Sequence, residues 1–307
     1  MSSIQSRCLR WLSRMVVRCR DWGSSEALPR RVRFFFGAPR PHQWLRSFQV
    51  EIRRTRPEDP PGEWVIPREA VRRTILYCHG GGYVACSAAT HRPITAALAR
   101  LAPARVFWSD YRLAPACPYP AALDDAERTY LWLLSLGTMP EDIALAGDSA
   151  GGGLVVALLH RLKDHGLEVP ACAVLFSPWT DVSGSGESVK GNDGRDPVFR
   201  TENIQAFAAC YAPQSEWTNP YVSPLFGDLA NLPPLHIQVG ADEVLLDDAT
   251  LLHDGVVAAG GSSELLIADG VFHGWQMLDG IVPEARKALD QASRFIVART
   301  QRRRGPS

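Results

Sequence analysis

The residues best suited to chemistry in this sequence lie in a short glycine-flanked segment, Gly147-Asp148-Ser149-Ala150-Gly151. The segment follows the apolar run 143–146 and precedes a helical pattern, so the serine is predicted on a turn between a strand and a helix. Such a turn needs small neighbours, because the serine backbone adopts a disfavoured conformation. A hydroxyl held in this way can act as a nucleophile in acyl transfer once a base takes its proton.

A second glycine-rich segment, His79-Gly80-Gly81-Gly82-Tyr83, follows the apolar run 75–78. Acyl transfer passes through an intermediate with a negatively charged oxygen, and each backbone N–H aimed at that oxygen stabilises it by about 3 kcal/mol. Successive glycines let the backbone approach closely enough for this. A phosphate-binding loop is disfavoured because no Gly-Lys-Ser or Gly-Lys-Thr follows. A plain turn is the remaining alternative.

The base and the acid are predicted from their order along the chain. His273 follows the last apolar run, 265–268, and so completes the order serine, acid, histidine that acyl-transfer triads of this kind have. The acid then falls in the loop 240–248, where one carboxylate must orient the histidine and balance its charge. The candidates in that loop are Asp242, Glu243, Asp247 and Asp248.

The elements that must position these residues alternate between strand and helix. Strand-like runs occupy 48–52, 63–66, 74–78, 105–108, 143–146, 173–176, 235–239 and 265–268. Helical patterns occupy 89–102, 120–135, 151–164, 247–259 and 283–300. This alternation predicts a mostly parallel sheet covered on both faces. Right-handed crossovers bring the strand ends, and with them the site, to one edge of the sheet.

Two segments depart from this rhythm and are predicted to form a cap over that edge. One is the N-terminal part, 1–45, and the other is an insertion at about 180–217 within the catalytic domain, 46–300. Residues 301–307 are predicted to be a frayed end. In the N-terminal part, Ile4, Cys8, Leu12, Met15 and Cys19 recur at helical spacing. The pattern favours an amphipathic helix that packs on its own protein over a transit peptide or a membrane-surface helix.

Composition excludes several classes of protein. Lys and Arg (33) balance Asp and Glu (33), so nothing suggests a general affinity for nucleic acid. No run approaches the roughly 18 apolar residues of a membrane span. Seven scattered cysteines without a C-x-x-C pair predict reduced thiols in a cytoplasmic protein, with no structural zinc site.

The combined motifs resemble the bacterial hormone-sensitive-lipase-like carboxylesterases, a family of the α/β-hydrolase fold. Besides the two glycine-rich segments, the resemblance covers Asp110-Tyr-Arg-Leu-Ala-Pro115, Pro118-Tyr-Pro-Ala121 and His273-Gly-Trp275, within a region from about 45 to 300. It implies an eight-stranded sheet with a small helical cap. It also implies cofactor-free hydrolysis of short to medium acyl esters, with the N–H groups of Gly81, Gly82 and Ala150 in the oxyanion hole.

The same resemblance ranks the acids. The family motif D-P-L-x-D has its last aspartate four residues beyond the catalytic one, and Asp247 minus four is Glu243. This register favours Glu243 over Asp242, although glutamate replaces the usual aspartate and Val244 the usual proline. Tyr83 and Trp275 are predicted to line the substrate pocket, with a place in the core as the alternative for either ring.

The predicted reaction is attack of Ser149 on an ester carbonyl, with His273 as base and Glu243 orienting it. The predicted partner is a small-molecule ester, without nucleic acid and without stable membrane insertion, and a homodimer is left open. Hydrolysis of a lactone or deacetylation of a specific metabolite is the alternative reaction. A receptor on the same fold, such as the plant gibberellin receptors that lack the histidine, is disfavoured because His273 is present.

Overall fold

The computed structural model describes residues 2–20, 22, 27–37, 41–69 and 71–300. Within these ranges one sheet contains the strands β1 (Glu51–Arg54), β2 (Gly62–Ile66), β3 (Arg73–Cys78), β4 (Ala104–Ser109), β5 (Ile143–Asp148), β6 (Cys172–Phe176), β7 (Leu235–Gly240) and β8 (Ser263–Ala268). The α-helices are α1 (Ile4–Ser13), α2 (Leu28–Phe36), α3 (Pro41–Leu45), α4 (Arg92–Leu101), α5 (Ala121–Ser135), α6 (Ala150–Asp164), α7 (Glu187–Gly191), α8 (Thr201–Tyr211), α9 (Leu246–Ala258) and α10 (Pro283–Arg299). The predicted C-terminal end, 301–307, lies outside the described residues.

The sheet has the strand order β1-β2-β4-β3-β5-β6-β7-β8. The pairs β1–β2 and β2–β4 are antiparallel, and every other neighbouring pair is parallel. The predicted eight-stranded, mostly parallel sheet is therefore confirmed. Because β3, β5, β7 and β8 run in the same direction, the loops that follow them meet at one edge.

Side chains of β3 show how the two faces of the sheet are covered. Leu76 lies in the core cluster that includes α6 and α9, whereas Ile75 and Tyr77 lie in the cluster with α4 and α10. Alternate residues of a strand point to opposite faces, so an apolar run without alternation requires helices on both. The predicted arrangement of helices on both faces is confirmed.

The first predicted strand is displaced. Phe48 and Gln49 belong to a 3₁₀ helix, Arg46–Gln49, and the strand begins at Glu51. Phe48 is 62% exposed, so its place in an alternating pattern does not reflect burial. β1 is an edge strand without a fully buried side chain, and the alternate residues Val50 and Ile52 are half-buried against the core, so the alternation holds only from Val50 onward.

The N-terminal helix forms, but its orientation differs from the prediction. α1 continues as a π-helix, Arg14–Arg18. Ile4 is 68% exposed and Met15 54%, so the apolar stripe faces solvent rather than the protein. The inner face makes polar contacts: the Ser6 hydroxyl donates to the Gly270 carbonyl at 2.8 Å, and the Ser3 hydroxyl donates to Glu284 at 2.8 Å. These polar contacts hold the inner face, together with the apolar contacts of Leu9 and Val17 with the core.

Helices from the two predicted cap segments pack against each other. The segment between β6 and β7 carries α7 and α8, and α2 of the N-terminal part contacts α8. Val32 of α2 and Phe207 of α8 are buried in the same apolar cluster. The division of the chain into a cap, 1–45 with 180–217, and a catalytic domain, 46–300, stays a prediction.

Candidate active site

Ser149 occupies a strained turn between β5 and α6. Its backbone angles are φ 53° and ψ −125°, a conformation that residues with a side chain rarely adopt. A Cβ at Gly151 would collide with the carbonyl oxygens of Cys78 and His79, so the chain can turn here only with glycine at that position. The turn holds the serine at the sheet edge with 6% of its surface exposed. This is the local geometry that the Gly-x-Ser-x-Gly pattern predicts.

His273 lies in the loop after β8, and its ring is held by a carboxylate. Nδ1 of His273 is 2.7 Å from Oε2 of Glu243. The other carboxylate oxygen of Glu243 accepts hydrogen bonds from the Ser177 hydroxyl at 2.8 Å and from the Gly240 amide at 2.7 Å. Glu243 is 1% exposed, so these donors replace the water that burial removes. The arrangement leaves Nε2 of the imidazole to exchange a proton.

The surroundings of His273 favour its protonated form. Burial alone would lower the pKa of His273. The hydrogen bond and the charge of Glu243 oppose it, supported by the charges of Asp196 and Asp148, and the net result is a raised pKa. A raised pKa strengthens the imidazole as a proton acceptor from a hydroxyl.

The neighbouring Asp242 contacts a different part of the molecule. Oδ2 of Asp242 lies 2.5 Å from Nη2 of Arg10 on α1, and Oδ1 of Asp242 pairs with Arg195. Of the other two carboxylates in the loop, Asp247 accepts the amide of Ser188 at 2.8 Å and Asp248 accepts that of Thr180 at 2.6 Å. Burial raises the pKa of Asp248 to about 8. The structure thus brings Glu243, and not Asp242, to the histidine.

Asp196 is a buried carboxylate that the sequence reading missed. It accepts the amides of Val198 at 2.7 Å, Phe199 at 3.0 Å and Val244 at 2.9 Å. Burial, followed by the charge of Glu243, raises the pKa of Asp196 to about 6. It therefore ties the segment between β6 and β7 to the loop that carries Glu243. No spacing in the sequence points to it, because its partners are backbone amides from two separate loops.

The glycine loop after β3 is held by Asp148. Oδ1 of Asp148 accepts the Gly80 amide at 2.9 Å and the Tyr77 hydroxyl at 2.7 Å, while Oδ2 lies 3.2 Å from Nε2 of His91. Burial opposes the charge of Asp148, yet His91 and these donors lower its pKa to about 2. The carboxylate next to the serine thus fixes the opposite loop.

Three backbone N–H groups near Ser149 match the predicted oxyanion donors. Gly81 and Gly82 have φ of 110° and 61°, and Ala150 is the first residue of α6. In the part of the chain that the structure describes, the amides of Gly81, Gly82 and Ala150 donate to no protein acceptor. Free N–H groups beside a nucleophile can bind a developing oxyanion.

A small cavity of about 100 Å³ joins these elements. Ser149, His273, Gly81 and Gly82 line its floor, and the N-terminal part contributes Val17, Trp22, Val32 and Phe36. The segment between β6 and β7 contributes Val198, Phe199, Asn203, Ile204 and Phe207. The cavity is smaller than the roughly 300–1,000 Å³ of clefts for drug-sized ligands. Its walls are mostly apolar, which suits an acyl chain.

Two predicted pocket residues lie elsewhere, and the prediction for them is wrong. Tyr83 is 2% exposed, and its ring stacks on Tyr211 with 3.6 Å between ring centroids. Trp275 is 1% exposed and packs in an apolar cluster with Val271 and Val282. Both rings fill the core beside the site. A large aromatic side chain next to a functional motif can be buried to pack the loop that carries the motif.

The described residues contain no group of three or more His, Cys, Asp or Glu side chains that could hold a metal ion. All seven cysteines are free thiols. Among the described helices, none is long and apolar enough to cross a membrane.

Comparison with known proteins places this site in a family context. The model of a family described as alpha/beta hydrolase fold matches residues 75–277, a region that includes Ser149, Glu243 and His273. An acetyl-hydrolase of Streptomyces hygroscopicus is 41% identical over 234 residues, 76% of this chain and 78% of that protein. An esterase of Acinetobacter venetianus is 35% identical over 250 residues, covering 81% and 82% of the two chains.

Solved structures agree with these relatives. An esterase of the bacterial hormone-sensitive lipase family has a TM-score of 0.88 at 36% identity, covering 98% of this chain and all of its own (100%). The esterase EstE5, in a crystal soaked with p-nitrophenyl butyrate, has a TM-score of 0.88 at 33% identity and covers 97% of this chain and 99% of its own.

Proposed function

Since the chain belongs to the alpha/beta hydrolase fold family and is a carboxylic ester hydrolase, we propose that Ser149, His273 and Glu243 form its catalytic triad. The observation that carries this proposal is the 2.7 Å contact between Nδ1 of His273 and Oε2 of Glu243, on a histidine that lines the same cavity as Ser149. A carboxylate in this position selects the tautomer with a free Nε2 and balances the imidazolium.

In the proposed reaction, Oγ of Ser149 attacks the ester carbonyl carbon while Nε2 of His273 takes the hydroxyl proton. The carbonyl oxygen becomes an oxyanion that the N–H groups of Gly81, Gly82 and Ala150 bind. His273 then gives its proton to the departing alkoxide, which leaves as an alcohol. Water repeats the sequence on the acyl-enzyme and releases the carboxylic acid and the free serine.

For the substrate we propose an ester with a short to medium acyl chain, at or below about eight carbons. The small cavity and its apolar walls support this, because each added methylene must fit between the floor and the cap. The resemblance to an acetyl-hydrolase and to an esterase soaked with a butyrate ester points in the same direction.

The test is the ratio kcat/KM measured for p-nitrophenyl acetate, butyrate, octanoate and palmitate under identical conditions. The proposal expects a maximum at butyrate or a neighbouring short chain and a steep loss at palmitate. A maximum at palmitate would show that the cavity does not limit the acyl chain. Absence of turnover with every ester would instead support a binding protein on this fold.

A further inference from the structure

The helix α1 presents an apolar stripe to solvent. Ile4 is 68% exposed, Trp11 66%, Leu12 47% and Met15 54%, and Cys8 is also exposed. These positions recur every three or four residues, so they share one face of the helix. We call Ile4, Cys8, Trp11, Leu12 and Met15 the outer stripe. Ile4, Cys8, Trp11 and Leu12 line one shallow surface recess together with Arg7.

The helix that carries the outer stripe is firmly held by the rest of the protein. The opposite face is tied down by the hydroxyl of Ser6 on the Gly270 carbonyl and by the ion pair of Arg10 with Asp242 at 2.5 Å. About two turns further, Arg18 donates to the Asp196 carbonyl at 3.0 Å and pairs with Asp193 at 3.1 Å. The protein therefore holds the helix by the face opposite the outer stripe and leaves the large apolar side chains of the stripe in water.

Exposed apolar residues concentrate in this part of the chain. Of the sixteen large hydrophobic side chains that are exposed among the described residues, eight lie between Ile4 and Phe48. Scattered exposed hydrophobics are ordinary on a protein surface, but a continuous patch marks an interaction site. The outer stripe is such a patch.

The charged residues of the N-terminal helical segment itself are all positive. Residues 1–20 contain five arginines and no aspartate or glutamate. Arg7 and Arg14 are exposed, and their spacing from Trp11 places them along one flank of the stripe. A helix with a Trp- and Leu-bearing apolar face and arginines at its border has the composition of helices that lie in the plane of a lipid surface.

We propose that α1 docks through the outer stripe onto the surface of an anionic lipid membrane. The apolar side chains enter the boundary between headgroups and acyl chains, and Arg7 and Arg14 contact anionic headgroups. This is peripheral binding, without a membrane span. A second copy of the chain fits less well, because a symmetric pairing of two α1 helices would place arginines of the two copies against each other with no acid on the helix to offset them.

Docking in this orientation leaves the site beneath the cap. Val17 lies on the inner face of the same helical segment and lines the cavity, so the segment separates the proposed lipid surface from the catalytic floor. Binding of the helix to lipid does not depend on ester hydrolysis at Ser149.

The test is co-sedimentation of the full chain with vesicles of phosphatidylcholine alone and of phosphatidylcholine with phosphatidylglycerol at about 7:3. The expected result is binding at least about tenfold tighter to the anionic vesicles, weakened by salt. One variant replaces three residues of the outer stripe (Trp11→Ser with Leu12→Ser and Met15→Ser). A second reverses the charge of the two flanking arginines (Arg7→Glu with Arg14→Glu). Each should weaken binding to the anionic vesicles about tenfold or more.

Control variants carry serine and charge-reversal substitutions at exposed positions elsewhere. Leu136 and Leu251 are 53% and 45% exposed, and the side chains of Arg53 and Arg294 are 65% and 80% exposed, so Leu136→Ser with Leu251→Ser and Arg53→Glu with Arg294→Glu should keep wild-type binding. Turnover of soluble p-nitrophenyl acetate reports folding of every variant. If the serine variant fails to fold, the charge-reversal variant decides, since both its positions are exposed.

Two results would overturn the proposal. One is that wild type and both α1 variants sediment equally with the anionic vesicles, or that wild type does not sediment with them. The other is a dimer in light scattering that the stripe substitutions dissociate, without vesicle binding, because the stripe would then be a contact between two copies.

Discussion

Oδ2 of Asp242 lies 2.5 Å from Nη2 of Arg10, which joins the loop after β7 to the N-terminal helix. Asp242 is thereby directed away from His273, while its neighbour Glu243 points toward the imidazole. Two adjacent carboxylates of one loop thus have different partners, one on the cap and one in the site. This arrangement gives them separable effects on catalysis and leads to the first prediction.

Substituting Glu243→Ala is predicted to lower kcat by roughly 10³- to 10⁴-fold, because the histidine loses the group that sets its tautomer. Substituting Asp242→Ala removes only contacts to Arg10 and Arg195 and is predicted to lower kcat by less than about tenfold. Steady-state kinetics with p-nitrophenyl butyrate compares the two. A larger loss for Asp242→Ala would show that the acid was assigned to the wrong carboxylate.

On the acidic side, the pH profile of kcat/KM should report the protonation of His273. A general base must be unprotonated, and the pKa of His273 is raised above its ordinary value of 6.5, so kcat/KM should rise with pH through a midpoint above 6.5. In Glu243→Gln the raising charge is gone while burial still lowers the pKa, so the midpoint of the residual activity should move down. A midpoint that stays in place in Glu243→Gln would contradict the coupling between the two residues.

Asp148→Asn is predicted to destabilise the fold by about 3 kcal/mol at neutral pH, because it removes the charge from a buried, hydrogen-bonded pair with His91. The folded pKa of Asp148, about 2, is below its ordinary 3.8, so this stability is present above pH 3.8 and is lost as pH falls toward 2. Urea unfolding at several pH values measures it. The exposed Asp228→Asn is the control, with little change expected. An equal loss in both variants would contradict this account.

Gly81→Ala is predicted to lower kcat about 100-fold, since the added Cβ meets the Ala85 carbonyl and displaces an oxyanion donor. Gly137→Ala is matched in backbone, with a φ of 80° against 110° at Gly81, but has open space around it. In thermal unfolding, Gly137→Ala should lose only the stability that alanine costs at a positive φ, and Gly81→Ala should lose more because its Cβ also collides with backbone. Only Gly81→Ala should lose kcat. An unchanged kcat in Gly81→Ala would remove Gly81 from the proposed oxyanion hole.

The sheet and the order of its elements were accessible to sequence reading, for a physical reason. Strands buried on both faces read as apolar runs, and the loops that follow them carry the glycines and polar residues of the site. Ser149 and His273 therefore stand out at the ends of β5 and β8 from the sequence alone. The choice of Glu243 over Asp242 required a family register, because both carboxylates lie in the same loop.

Other features could not be predicted from the sequence. Helical spacing in residues 4–19 indicates an amphipathic helix but not which face turns inward, and here Ser6 and Arg10 outweigh the apolar stripe. Tyr83 and Trp275 adjoin functional motifs in the sequence, yet their rings fill the core. Asp196 acts through backbone amides that come together only in the folded chain. In each case, long-range contacts determine the orientation or the partners of a side chain, which the local sequence pattern does not specify.

The most direct test of the central claim is mass spectrometry of the protein after reaction with a fluorophosphonate ester. Ser149 as nucleophile predicts a single adduct that maps to Ser149, loss of p-nitrophenyl butyrate hydrolysis in proportion to labelling, and no adduct or turnover in Ser149→Ala. An inactivated protein labelled at another residue, or a Ser149→Ala variant that keeps its activity, would contradict the account.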